Sequence, residues 1–308
     1  MLAVTAHHDV PPGPVAVLAN PSAGRGRHRG LLPTILERLG GVGRPVELLC
    51  AGTPTEAEAA CRAAVADGAG ALVAVGGDGT VHRALQAVAG TAVPFGPVPA
   101  GTGNDFAMET RFPADPVAAV EVIAGALAAG RTRPVDLARL SRPGAADRWY
   151  GAVLAAGFDA IVNERANRMR WPRGPRRYDL AILVELARLR PRRYRLTLDG
   201  VTHELDAVLV AVGNAASYGG GMRICPDADP TDGLLDVVVG GRFDRLTLMR
   251  VKPRIYQGTH VTHPLVRTFR ARTVEVDAVG ITTYVDGERA LELPVRISAV
   301  PAALRLLR

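Results

Sequence analysis

Through the first 130 residues, apolar positions arrive in short unbroken runs separated by polar turns. VAVLAN (15–20), PVELLC (45–50) and ALVAV (71–75) have the length and continuity of strands buried on both faces. Helix-like stretches follow each of them: about Gly30 to Leu39, residues 55–67, and VHRALQAVA (81–89), with a further helix expected around 115–129. This strand–helix alternation predicts a parallel sheet covered by helices on both faces. Near Pro134 the rhythm changes to short β-like runs: RWYGAVLAAG, YRLTLDG, HELDAVLVAVG, LLDVVVGG, TVEVDAV and ITTYVDG. Turn residues separate them, which predicts an antiparallel second domain built as a sandwich or barrel. One helical insertion is expected, YDLAILVELARL (178–189), with Leu180, Leu183, Val184 and Ala187 on one face.

Composition changes this picture little. A chain of 308 residues, 48% apolar and 22% charged, suits two globular domains. The opening MLAVTAHHDVPPGP lacks the basic and apolar regions of a secretory leader, and PVAAVEVIAGALAAG (116–130) is too short to span a bilayer. A soluble, cytoplasmic protein is expected. The three cysteines, Cys50, Cys61 and Cys225, form no metal-type cluster and are expected to be buried free thiols. Lys252 is the sole lysine, so the net charge of +7 comes almost entirely from arginine. Residues 165–195 concentrate it, with eleven arginines against Asp179 and Glu185, and with Trp171 among them. A basic segment with an interfacial aromatic suits peripheral attachment to an anionic leaflet; a solvated arginine-rich face is the plainer alternative.

Candidate chemistry sits in the turns after strands. NPSAGRGR (20–27), GGDGT (76–80) and GTGND (101–105) would gather at the carboxyl ends of a parallel sheet, where ligands bind. Glycine there lets backbone N–H groups approach an anion, and Thr80, expected to open its helix, and Thr102 can donate hydroxyls to phosphate. The Walker A pattern is absent, while GRGRHRG (24–30), with Glu47 beyond it, approximates a dinucleotide fingerprint. Further on, Asp227, Asp229, Asp232 and Asp236 crowd one glycine-rich loop, either solvated or holding a hard cation. TYVDGE (283–288) puts Asp286 and Glu288 on a tight turn, which a plain hairpin would also explain.

Taken in order, NPSAGRGR, VGGDGTVHRAL, PAGTGNDFA, GFDA (157–160), GGGMRICPDADPTDGLLDVVV and YVDGE resemble the diacylglycerol kinase catalytic-domain family, in its bacterial branch related to sphingosine and ceramide kinases. The resemblance covers nearly the whole chain. It implies an α/β plus β fold: a three-layer α/β ATP-binding domain (1–134, with 296–308 packing back on it) and an antiparallel β-sandwich lipid-substrate domain (135–295), with the active site in the cleft between them. It also implies ATP and Mg²⁺. By motif, Asn20, Gly76, Gly77, Asp78, Gly79, Thr80, Thr102 and Asn104 would line the nucleotide, with Thr53 as an addition. Asp229, Asp232 and the carbonyl of Leu234 would hold a structural Mg²⁺. Asp286 and Glu288 stand where the family has its catalytic acids; Asp78 joins them because a carboxylate beside phosphates is tolerable only with a cation or an alcohol proton between. His82 and Arg83 depart from the family's usual Asn–Glu pair.

The implied partner is a lipid with a free hydroxyl, met at an anionic membrane by a protein peripheral to its inner face. No nucleic-acid partner is expected, and the oligomeric state stays open, a homodimer among the options. Three rivals remain: an NAD kinase-like phosphotransferase, which shares GGDGT; an NADP-dependent oxidoreductase, which would leave the DGE turn unused; and a non-catalytic binding protein on the same fold. His260 and His263 allow a metal reading that lacks carboxylate support.

Overall fold

The computed structural model describes residues 10–20, 29–169, 171 and 176–308. NPSAGRGR beyond Asn20 and part of the arginine-rich segment therefore lie outside the described residues. The chain divides into two compact units, Met1–Leu137 with Pro301–Arg308, and Ala138–Val300.

In the first unit, β1 (Val15–Ala19), α1 (Leu32–Gly40), β2 (Val46–Leu49), α2 (Pro54–Ala66), β3 (Ala71–Gly76), α3 (Asp78–Val88), β4 (Phe95–Pro99), α4 (Asp105–Glu109) and α5 (Pro116–Ala128) follow one another. The strands run parallel in the order β2-β1-β3-β4, with Val15 opposite both Val46 and Ala71 and Leu72 opposite Phe95. Every residue of β3 and β4 is buried, as strands covered on both faces require, whereas β2 lies at the sheet edge with none of its residues buried, against the sequence expectation for PVELLC. Helix α1 packs with α5, and α2 packs with α3. Helix starts are locally encoded: Thr53 and Asp115 each cap the helix after them, accepting the N–H of Glu56 and of Ala118, and each precedes a proline at the first turn. Thr80 does not open α3; Gly77 is the N-cap and Asp78 the first helical residue. At the far end of the chain, Leu306 pairs in parallel with Phe95, and the Ala302 N–H donates to Asp136 at 2.8 Å.

Strand β5 (Arg133–Ser141) leads out of that unit. The second contains β6 (Arg148–Tyr150), β7 (Val153–Gly157), α6 (Phe158–Arg168), α7 (Arg176–Ala187), β8 (Arg192–Leu198), β9 (Val201–Ala207), β10 (Leu209–Gly213), β11 (Leu235–Gly240), α8 (Arg245–Tyr256), β12 (Val266–Ala271), β13 (Thr273–Asp277), β14 (Thr282–Val285), β15 (Glu288–Glu292) and the first half of β16 (Val295–Leu306). One sheet is 6-stranded, in the order β12-β11-β10-β7-β14-β15; within this unit β16, β13, β8 and β9 form an antiparallel run. Leu154, Val210 and Val237 of the first sheet share one core with Leu196, Val274 and Ile297 of the second, which is a β-sandwich.

The structure departs from the sequence reading in its helices. Among the described residues the second unit holds three, not one. Helix α6 buries only Ala160, Val162 and Ala166, too little apolar surface to register as a helix face. In α7 the expected face is not the packed one: Leu183 is 63% exposed and Ala187 is exposed, while Ala181 packs against Val162 and Ala166. Beyond the end of α8 at Tyr256, residues Thr259–Thr262 form a 3-10 turn that carries His260. Cys50 is exposed, whereas Cys61 and Cys225 are buried.

Candidate active site

The candidate residues fall into two groups, one in each unit. In the first unit, strand order brings the carboxyl ends of β1, β3 and β4 side by side, and with them Asn20, Gly76–Thr80 and Ala100–Asn104. The Asn20 N–H donates to Val75 O at 3.1 Å and the Ala100 N–H to Gly76 O at 2.8 Å. Asp78 ties the last two loops together. Its carboxylate accepts the backbone N–H of Asn104 at 2.8 Å and of Phe106 at 3.3 Å. Asn104 takes a left-handed conformation, φ 61°, and its carboxamide folds back on Gly101, accepting that N–H at 2.8 Å and donating to that carbonyl at 3.3 Å. The loops touch where they have no side chains: a Cβ on Gly101 would overlap Gly77 Cα. Gly101→Ala is therefore expected to push the loops apart, lowering the melting temperature and removing the thermal shift given by ATP; differential scanning fluorimetry with and without the nucleotide checks both.

The sequence reading puts Asp78 beside an expected phosphate; the fold gives it a use of its own, as a clamp between two glycine loops. Thr80 is buried and packs over Gly76, whereas Thr102 is exposed. Thr53 stands apart, at the end of the outer strand β2, where its hydroxyl oxygen accepts the Glu56 N–H at 3.2 Å. His82 is buried in α3.

In the second unit, Asp286 and Gly287 occupy the two central positions of the β14–β15 hairpin, with φ of 51° and 84°, the two-residue turn that D-G favours. The Asp286 carboxylate turns back onto the head of β7. It accepts N–H groups from Gly151 (3.2 Å), Ala152 (2.9 Å) and Val153 (3.3 Å), while its own N–H donates to Val153 O at 3.1 Å. Glu288 begins β15, half-buried, opposite Val285.

A network unseen in the sequence fixes this hairpin to α6. Glu164 accepts the Tyr284 hydroxyl at 2.8 Å and Arg289 Nε at 3.1 Å, while Arg168 Nε holds its other oxygen at 2.9 Å. Burial pushes the Glu164 carboxyl up, but the hydrogen bonds from Tyr284, Arg168 and Arg289 outweigh it and hold it below the usual range. Asp159, of the GFDA turn, sits at the start of α6, accepts the Tyr218 hydroxyl at 2.7 Å, and is raised by burial.

The acidic loop is organised by its own backbone and by one arginine. Asp229 accepts the Thr231 N–H at 3.0 Å and Asp232 the Leu234 N–H at 2.9 Å. Arg270 pairs with Asp232 and reaches Asp236 at 3.4 Å. Among the described residues no three metal-binding side chains converge. The set of Asp229, Asp232 and the Leu234 carbonyl is nevertheless one of hard oxygens, the chemistry Mg²⁺ takes, with Arg270 competing for Asp232. His260 donates through Nε2 to Ile224 O at 3.0 Å, and His263 Nδ1 accepts the Leu265 N–H at 3.2 Å.

The glycine loops fit ATP by the same chemical test. They present backbone close to where a ligand would lie, the N-terminus of the 11-residue α3, and the exposed Asn20 and Thr102 side chains. A parallel α/β unit with such loops, together with an antiparallel sandwich unit, is compatible with a nucleotide-dependent enzyme. Comparison with known proteins narrows the class. Residues 14–140 match the family described as "Diacylglycerol kinase catalytic domain", and residues 152–308 match "YegS C-terminal NAD kinase beta sandwich-like domain". The chain is 46% identical over 299 residues to a "Diacylglycerol kinase" of Mycobacterium tuberculosis, covering 96% of this chain and 95% of that one. It is 32% identical over 261 residues to a protein of Xanthomonas oryzae pv. oryzae named "Probable lipid kinase YegS-like", covering 82% of each. A diacylglycerol kinase crystal structure from Bacillus anthracis str. Sterne shares the fold at TM-score 0.71 and 20% identity, covering 95% of this chain and 96% of that one. An NAD kinase from Archaeoglobus fulgidus shares it at 0.57 and 15%, covering 96% and 93%. The chain belongs to the diacylglycerol kinase catalytic-domain family and is a lipid kinase with ATP as phosphate donor.

Proposed function

We propose that the chain transfers the γ-phosphate of ATP to the hydroxyl of diacylglycerol or a close lipid alcohol. The observation that carries the reading is the pair of glycine loops after β3 and β4, locked to each other through Asp78 at the carboxyl ends of a parallel sheet. Asn20, Gly76–Thr80, Thr102 and Asn104 hold the triphosphate, and Thr53 contributes at the edge. Phosphoryl transfer asks little covalent chemistry of the protein; it needs alignment, charge neutralisation and a group to take the acceptor's proton. Asp286 is assigned that proton, its carboxylate aimed by the amides of 151–153, with Glu288 beside it. Magnesium, when bound, neutralises phosphate charge. Asp78 would face it on the nucleotide side, and Asp229, Asp232 and the Leu234 carbonyl would hold a second, structural ion. For that ion, MgCl₂ is expected to raise the melting temperature of the wild type by about 2–4 °C and that of Asp229→Asn not at all. Because the acceptor is a membrane lipid and ATP a cytoplasmic metabolite, the reaction is placed at the inner membrane face.

The test is incubation of the purified chain with radiolabelled ATP, a panel of lipid alcohols and NAD. Labelled lipid is expected. Labelled NADP in its place would move the chain to the NAD kinase reading.

A further inference from the structure

A lipid acceptor must be reached in a bilayer, and no helix among the described residues is long and apolar enough to cross one. The arginine-rich segment at 165–195 lies partly outside the described residues, and four of its cations face carboxylates. Arg165 pairs with Glu185, Arg168 with Glu164, and Arg193 and Arg195 with Glu204. Helix α8 is different. Its buried face is Leu248, Val251 and Ile255, and its outer face carries large apolar side chains: Leu246 is 56% exposed, Met249 50% and Tyr256 50%. At 100° per residue, Leu246, Met249, Pro253 and Tyr256 fall in one stripe. Arg245 and Lys252 flank it on one side, Arg250 and Arg254 on the other, and the helix contains no acidic residue. Its capping Asp244 is spent on the Thr247 N–H at 2.7 Å, and the nearby Asp206 is paired with Arg242. Arg250 and Lys252 are exposed and form no salt bridge among the described residues, although each lies in the field of one carboxylate, Asp244 and Asp159 respectively. Arg245 donates to Ala187 O, and Arg254 to Thr259 O and the Thr262 hydroxyl.

We infer that the outer face of α8 docks this protein on an anionic lipid leaflet, its apolar stripe entering the headgroup–acyl boundary and its flanking cations meeting lipid phosphates. An exposed apolar stripe on a helix is a cost in water that lipid removes, and cations on both of its flanks select a negatively charged occupant. A second copy of the same face would set cation against cation. The inference rests on the proposed function only in that the acceptor lies in a membrane, so the measurements are made without ATP.

Co-sedimentation with phosphatidylcholine vesicles, with and without phosphatidylglycerol, should show binding to the anionic vesicles that Arg250→Glu with Lys252→Glu weakens by about tenfold or more. Leu246→Ser with Met249→Ser should weaken it similarly. Both double variants should keep the wild-type melting temperature and their turnover on acceptor presented in detergent micelles, which separates failure of this surface from failure of the kinase reading. Depth is read by brominated-lipid quenching of a Tyr256→Trp variant in a Trp149→Phe, Trp171→Phe background, set against native Trp171, which is 78% exposed, in Trp149→Phe alone. Quenching is expected in the Tyr256→Trp variant. Quenching of Trp171 with none in that variant, equal binding to neutral vesicles, unchanged binding after charge reversal, or burial of the new indole by self-association without lipid would each overturn the inference.

Discussion

Asp286→Asn is expected to lower kcat by about 10²–10⁴-fold, the usual contribution of a positioned general base, while the affinity for ATP changes little. The substitution keeps the size of the side chain and one acceptor oxygen, but it turns the other oxygen into a donor. In the structure both oxygens accept, Oδ1 from Ala152 and Val153 and Oδ2 from Gly151. One N–H thus loses its acceptor, and a stability loss of about 1–3 kcal/mol should accompany the catalytic one. Turnover must therefore be measured well below the variant's melting temperature. ATP affinity should survive because the residues assigned to the nucleotide all belong to the first unit, after β1, β2, β3 and β4. Glu288→Gln is the comparator: it alters the neighbouring acid at the start of β15 and leaves the three amide bonds of Asp286 in place. Steady-state kinetics, with ATP affinity measured by calorimetry, decide. Wild-type turnover in Asp286→Asn would remove that residue from proton transfer.

That prediction also shows what could be read in the chain and what could not. Strands β1 and β3 were legible because burial on both faces demands unbroken apolar runs, but β2, at the sheet edge, has no buried residue, and β4 went unread because glycine and two prolines break its run. The loops were legible because glycine is the residue type their close approach needs, as at Gly77 and Gly101. The contacts that make the loops rigid were not. Asp78 reaches amides 26 and 28 positions away, and Asp286 reaches amides 133–135 positions away. A carboxylate bonded to backbone N–H demands no particular side chain at the partner position, so it leaves no pattern to find. The Glu164–Tyr284–Arg289 network does use specific side chains, but they lie 120 and 125 residues apart. Helix α8 was missed for another reason. Its buried residues, Leu248, Val251 and Ile255, carry a helical spacing, and Asp244 caps it, but Pro253 in its interior and its apolar outer face disguise the period.

Asp78→Asn separates two uses of one carboxylate. As a clamp, Asp78 accepts N–H groups from Asn104 and Phe106 and so keeps the loop after β4 closed on the loop after β3. As a neighbour of bound phosphate it would act through Mg²⁺. Asparagine retains a single acceptor, so one backbone N–H is left facing an amide NH₂, a penalty of about 1–3 kcal/mol. Loops that must re-close before they bind charge that penalty to the ligand, and each 1.4 kcal/mol of it is tenfold in affinity. ATP binding, measured by calorimetry, is therefore expected to weaken by about tenfold or more in magnesium and in EDTA alike, together with a lower melting temperature. The Gly101→Ala variant, which opposes the same closure from the other loop, should share both effects. A loss of affinity seen only with magnesium present, at an unchanged melting temperature, would mean that the carboxylate works through the cation alone. The two amides would then be geometry without consequence for the nucleotide.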